Sequence, residues 1–411
     1  STQFLTGAHT HDGSDITTGT VADARIAASI ARDSEIMPAV LAGDGPGSTL
    51  NADLLDGTHA SGFVTRAEYD ALLARVAALE AKLAHMTVQS GALDGLAGPH
   101  IIFTGANVHI RSGSGATNGA VNGTGNLIVG YNENLSVPVV GRGGSHNMVI
   151  GAAHEYSSYG GFVAGRMNTI SGAYASVSGG YDNLAGHSYA SVSGGQGNAA
   201  GNYASSVSGG YANEATGQYS AVSGGSNNLA GSSYASVSGG EGNEASGSAA
   251  SVSGGSNNLA GSSYASVSGG DGNEASGYAA SVSGGKLGEA FGEYASVSAG
   301  YSNIASGFYS SVSGGYDNYT SASFSSISGG RENTTYGNTS SVSGGYNNST
   351  LNQGASVSGG HYNIASGDYA SVSGGESNSA SGNAATVSGG YDNFTSGEFD
   401  WAGGACYFCT D

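Results

Sequence analysis

The sequence predicts an all-β chain dominated by a parallel β-solenoid of fifteen-residue coils, preceded by a short α-helical coiled coil. Three observations carry that expectation. The pentad Ser-Val-Ser-Gly-Gly recurs in near-identical form fifteen times between Ser176 and Gly390, always fifteen residues apart. Its central apolar residue steps from Val177 to Val387 without an insertion, with Ile327 the single Ile. Around it, Ser always follows, Gly always stands three residues on, and Asn stands six residues on except at Gly288. A period this strict gives each unit the same displacement along one axis, which is how a solenoid is written. Fifteen residues are too few for two helices with their turns and suit a coil of two short strands and two tight turns. A flexible Gly/Ser linker would have no reason to hold the Val, Gly and Asn phases.

Composition fits a rod better than a globule. Of 411 residues 75 are Gly, so one coil offers one Val or Ile, a small residue such as Ala185, Ala200 or Ala215, and often an aromatic. Such a coil must be covered by its neighbours and by partner chains. The net charge is −20 and Lys occurs only as Lys82 and Lys286, which argues against nucleic acid and against anionic membrane surfaces. No apolar run reaches the length of a membrane span, and residues 1–30 carry neither the charged start nor the apolar centre of a signal peptide.

Residues 1–62 form a polar stem or attachment region of short strands, turns and one brief helix near 24–34, with the strings His9-Thr-His11-Asp12-Gly13, Thr20-Val-Ala-Asp-Ala-Arg25 and Ala52-Asp-Leu-Leu-Asp-Gly-Thr-His-Ala60. Residues 63–88 change character. Tyr69, Leu72, Val76, Leu79, Leu83 and Met86 are spaced 3, 4, 3, 4, 3, an a/d seam, and Thr65-Arg-Ala-Glu68 is a capping box in front of it. A helix this short is marginal alone in water, so the seam is read as an interchain coiled coil. Residues 89–160 alternate apolar and polar at Ile101-Ile-Phe103, Val108-His-Ile110, Asn126-Leu-Ile-Val-Gly130 and Asn147-Met-Val-Ile-Gly151, and are read as longer strands in irregular coils.

Residues 161–398 are the array. Alternation puts Val on one face of each strand and both Ser hydroxyls on the other. Gly-Gly is expected to turn a corner with positive φ. The following Asn is expected to take a left-handed corner, bond back to the backbone, and form a ladder from coil to coil. At the strand spacing of ~4.8 Å, about sixteen coils make a rod of ~75 Å. Residues 399–411 replace the pentad with Phe399-Asp-Trp401 and end in Cys406-Tyr-Phe-Cys409, read as a cap on the last coil. A receptor-binding tip is the sharper alternative. For Cys406 and Cys409 a local bridge, interchain bridges and free thiols all stay open.

The unit Ser-Val-Ser-Gly-Gly-x-x-Asn-x-Ala-Ser-Gly-x-Tyr-Ala resembles the trimeric head repeats of bacterial surface adhesins, the haemagglutinin-like left-handed β-roll family. Its fifteen residues differ slightly from the commonest adhesin form. The strings of residues 1–62 resemble stem modules of bacteriophage tail fibres. Together these resemblances imply a homotrimer whose three β-rolls share a central apolar axis, placed outside a cell or on a virion. In such a trimer His9 and His11 near the axis would gather six imidazoles, enough for an octahedral transition-metal site. Two exposed polar residues in a turn before Asp12-Gly13 is the simpler reading and stands ahead, and no cofactor is required.

The remaining chemistry is sparse. Asp182, Glu241, Asp271, Asp317, Glu332 and Asp392 recur just before the Asn but not in every coil, and the Gly-Gly-x-Gly-x-Asp spacing of calcium solenoids does not recur, so they read as a solvated acidic face. No nucleophile has a matched base, and the chain is not expected to be an enzyme. The variable position is the one just after Gly-Gly, four residues beyond each Val. It carries Tyr181, Tyr211, Tyr301, Tyr316, Tyr346 and Tyr391 among mixed residues. Exposed Tyr in rows can stack on sugars or meet a protein receptor; lateral packing between chains is the plainer use. Aromatics three before the Val, such as Tyr174, Tyr189 and Tyr219, are expected to form structural ladders. Function is read as attachment or adhesion by a surface fibre, with a self-assembling filament as the alternative and an ice- or mineral-binding face third.

Overall fold

The computed structural model describes residues 64–134 and 141–403, and the chain divides at Val108/His109 into two compact units. The stem with His9 and His11, the brief helix near 24–34 and the Cys406/Cys409 string lie outside the described residues.

In the first unit, helix α1 (Arg66–Lys82) begins where the capping box requires. Glu68 N–H donates to Thr65 Oγ1 (3.2 Å) and Thr65 N–H donates to Glu68 Oε2 (2.8 Å), so two amides that no helical carbonyl reaches are satisfied. The helix is shorter than its seam. Leu83 is the C-cap, its N–H bonded to Leu79 and Glu80 carbonyls, and Met86 opens strand β1 (Met86–Gln89). That strand pairs antiparallel with β2 (His100–Phe103), Met86 opposite Phe103 and Gln89 opposite His100. Thr87-Val88 and Ile101-Ile102-Phe103 are β-branched or aromatic, and they favour a pleated pair over another helical turn. The seam on the helix is therefore Tyr69, Leu72, Val76 and Leu79, each 41–56% exposed, and no residue of α1 is buried. Ile101–Phe103 lies in this hairpin rather than in a coil, and Val108–Ile110 forms no strand.

In the second unit the solenoid starts at β3 (Leu127–Val129), which pairs in parallel with β4 (Met148–Ala152). Strand β4 in turn pairs with the strand Phe162–Arg166. From Ser176–Val177 onward each coil contributes a two-residue strand, Ser-Val in most copies, to one parallel sheet, with Ser191 over Ser176 and Val192 over Val177. A second parallel sheet takes two residues per coil, Glu155–Tyr156 first and Phe394–Thr395 last. Its seventeen strands, at ~4.8 Å each, make a rod of about 80 Å.

The core between the sheets is built mostly of small groups, with Tyr156, Ile170 and Ile327 the larger exceptions. Val177 and its equivalents are at most 1% exposed, facing Ala185 and its equivalents from the second sheet and Ala175 or Ser205-type residues just before the strand. The Asn column completes it. Asn258 Oδ1 accepts from Asn273 N–H (3.0 Å), while Asn258 Nδ2 donates to Gly254 O (2.9 Å) and Gly270 O (3.0 Å). Every polar atom of a fully buried amide is thus used, which is what burial of an amide demands. The ladder forms as expected, but Asn does not take the left-handed corner. Positive φ falls on the residue before it (Asp182, 57°), on the second Gly (Gly180, 86°) and on the residue three before Val (Tyr174, 59°). The buried amide has to face inward, so its backbone stays out of the turn. A Cβ on Gly180 would lie 2.1 Å from Gly195 O, so that glycine is required twice over.

Candidate functional site

The position after Gly-Gly forms a third ladder beyond the two predicted strands. Each such residue makes a parallel bridge to its equivalent in the next coil, from Arg166 through Tyr181 and on to Tyr391. The backbone thus fixes these side chains in one column at the coil spacing, about 4.8 Å. Tyr181, Tyr211, Tyr301, Tyr316 and Tyr391 are exposed and Tyr346 is half-buried.

Side-chain contacts between column residues gather between Asp271 and His361, with Tyr362 joining from one residue beyond the column. The Lys286 ammonium meets Asp271 of the preceding coil at 2.8 Å, and this hydrogen bond and charge raise the Lys286 pKa above its ordinary value. Tyr301 and Tyr316 stack with centroids 5.2 Å apart and planes 7° apart. Arg331 inserts next, its guanidinium carbon 5.1 Å from the Tyr316 ring centre and 5.5 Å from that of Tyr346, a double cation–π contact. Arg331 Nε also donates to Glu332 Oε1 (2.9 Å). Tyr346 meets Tyr362 at 5.3 Å edge-on and His361 at 6.2 Å. Its phenol is pushed up to about 12, first by a hydrogen bond with Tyr362 and then by Glu332, so the hydroxyl stays protonated through any physiological pH.

This packing decides what the column presents. Neighbours cover both faces of Tyr316, and Arg331 covers one face of Tyr346. Both cations are already paired with carboxylates. What faces solvent is a row of ring edges and phenol hydroxyls carrying no unpaired positive charge. Tyr181 and Tyr211 stand apart from this stretch. Arg166 lies 5.7 Å over Tyr181, and Tyr211 lies between Gln196 and Ser226.

The aromatics before the Val do stack: Tyr174 on Tyr189 (5.4 Å, 17°), Tyr219 on Tyr234 (5.1 Å, 12°), Tyr309 on Phe324 (5.5 Å, 7°). Sequence reading missed two rungs. Where Ala204 and Ala279 occupy the aromatic position, Tyr203 and Tyr278, one residue earlier, fill the gap edge-on at 5.5–5.6 Å from both neighbours. An Ala preceded by Tyr was the available signal. Tyr362 and the sandwiched Arg331 were also missed, since neither follows from a column of Tyr alone.

Among the described residues no three His, Cys, Asp or Glu side chains gather as a metal site, and no helix is long and apolar enough to cross a membrane. No family model matches this chain, and no curated protein matches it.

Proposed function

We propose that this chain is a non-enzymatic, homotrimeric attachment fibre of a cell or virion surface, with the Lys286–His361 stretch of the column as its contact with a cell-surface glycan or protein receptor. The observation that carries the reading is the contrast along the rod. The Val, second-Gly and Asn columns hold almost one residue type each, while the ladder after Gly-Gly varies and sets Tyr301, Tyr316 and Tyr346 around Arg331. The exposed seam Tyr69, Leu72, Val76 and Leu79 on α1 supports association of copies through a coiled coil. The resemblance to trimeric adhesin head repeats supports three. A glycan array tests the site: replacing Tyr301, Tyr316 and Tyr346 with Ala abolishes binding, and unchanged binding removes the column as the site.

A second reading, an end-to-end filament, rests on the rod's ends. Among the described residues, Leu127–Val129 pairs on one side only and is exposed along its length, and Trp401–Ala402 likewise has one neighbour. Open apolar strand edges invite another chain.

A further inference from the structure

Two glycines follow each Val except Val297, and the fold of one chain explains the second throughout but the first only at Gly209, Gly239, Gly269, Gly374 and Gly389, where φ is positive. In the other copies, as at Gly224, Gly254 and Gly284, the first glycine has no left-handed φ, and a Cβ built at these three meets nothing within 4 Å. Yet the position holds Gly in every copy of the pentad but one, where Ala299 stands. Beside it, the Ser after each Val is exposed in all fifteen copies. From Ser178 to Ser373 these hydroxyls have no hydrogen-bond partner within the chain. The face is also neutral. No Asp, Glu, Lys, Arg or His occurs from the residue before Val to the second Gly in any copy. The charged side chains of the array lie on the other faces, as at Glu241, Asp271, Lys286 and Glu289.

We propose that this Ser-Val-Ser-Gly face is where a second copy of the chain packs along the rod, which rests on the homotrimeric reading above. A chain of net charge −20 repels its own copies on every acidic face, and this face alone lets two of them approach closely. Gly at its margin removes the side chain that would hold the backbones apart, and the Ser hydroxyls are free to bond across. Three residues at ~3.3 Å and one coil at ~4.8 Å give about 50 Å² of sheet per coil. Over fifteen coils that is about 700 Å² of face per chain, shared between its two neighbours in a trimer, against ~800 Å² per partner for a standard interface of one pair.

The test uses the full chain with Cys406 and Cys409 changed to Ser, its native mass, and single cysteines. A three-chain mass with oxidative cross-linking of Ser253→Cys roughly tenfold above Asn257→Cys supports the proposal, since apposition raises the effective thiol concentration. Adding Gly224→Tyr and Gly284→Tyr to Ser253→Cys abolishes that cross-link while the β circular dichroism stays, because neither Tyr clashes within its own chain. A three-chain mass with equal cross-linking at both cysteines overturns the face assignment alone. So does cross-linking of Ser253→Cys that survives both Tyr substitutions. A one-chain mass overturns the homotrimeric reading itself.

Discussion

The backbone amide of Gly288 donates to Asn273 Oδ1 at 2.8 Å, but Gly288 has no side chain with which to accept the amide of Asn303. Below this point each Asn accepts from the next, and above it Asn318 accepts from Asn333 at 3.0 Å. The ladder is therefore two ladders meeting at one missing rung. The flanking Lys286 and Leu287 belong to the same coil, which also ends the acidic stretch and starts the aromatic one.

Replacing Gly288 with Asn should close the gap. A Cβ there lies 3.1 Å from Asn273 Oδ1 and 3.2 Å from Val297 Cγ1, with no positive φ, so small shifts admit it. One restored bond to Asn303 adds about 1 kcal/mol, read as a higher denaturation midpoint and slower hydrogen exchange at the Asn303 amide.

The opposite change is Asn258→Ala. It strands the buried amide of Asn273 and leaves Gly254 and Gly270 carbonyls without the Asn258 Nδ2 donor. The expected cost is about 2–4 kcal/mol. Because coils couple to their nearest neighbours, exchange should quicken first in the coils on either side.

Glu289 sits directly opposite Glu274 in the second sheet. Partial burial, then the Glu274 charge, raises its pKa from 4.5. A carboxylate raised in the folded state favours folding while protonated and loses that contribution as pH climbs above 4.5. Glu289→Gln should therefore raise the melting temperature at pH 7 by the equivalent of roughly 0.3 kcal/mol, given its exposure and the size of such pairs. The gain should vanish in acid below pH 4.5, as a pH series of thermal melts would show.

Tyr203→Ala should break the aromatic ladder between Tyr189 and Tyr219, costing about 1 kcal/mol beyond lost area. Tyr203→Phe should cost little, since the contact is ring to ring. Thermal melts of the two variants separate these outcomes.

Much of the rod was legible because a repeat shows each position many times. Val at one phase and Ser on both sides gave the buried and exposed faces, and constant Asn gave the ladder. The Gly-Gly corner was placed correctly at its second Gly, but the corner expected at Asn was misplaced for a physical reason. Asn tolerates left-handed φ, but here its amide has to be buried, so the turn moves to Asp182, Tyr174 and their equivalents, whose strain the stacked coils hold. The third ladder was invisible because a one-residue bridge leaves no alternation to read. Leu83 and Met86 kept the heptad phase yet left the helix, since the pull of β2 on β1 is a tertiary effect. In the candidate site the Tyr column could be seen, but the Arg331 sandwich needed the coil register.

Cryo-electron microscopy of the full chain in solution separates a trimeric fibre from a single-chain rod and from a filament. A trimeric attachment fibre gives isolated straight rods of one length, with a solenoid segment of about 80 Å and three chains in cross-section. Single-chain rods, or continuous fibres with an axial repeat, would contradict it.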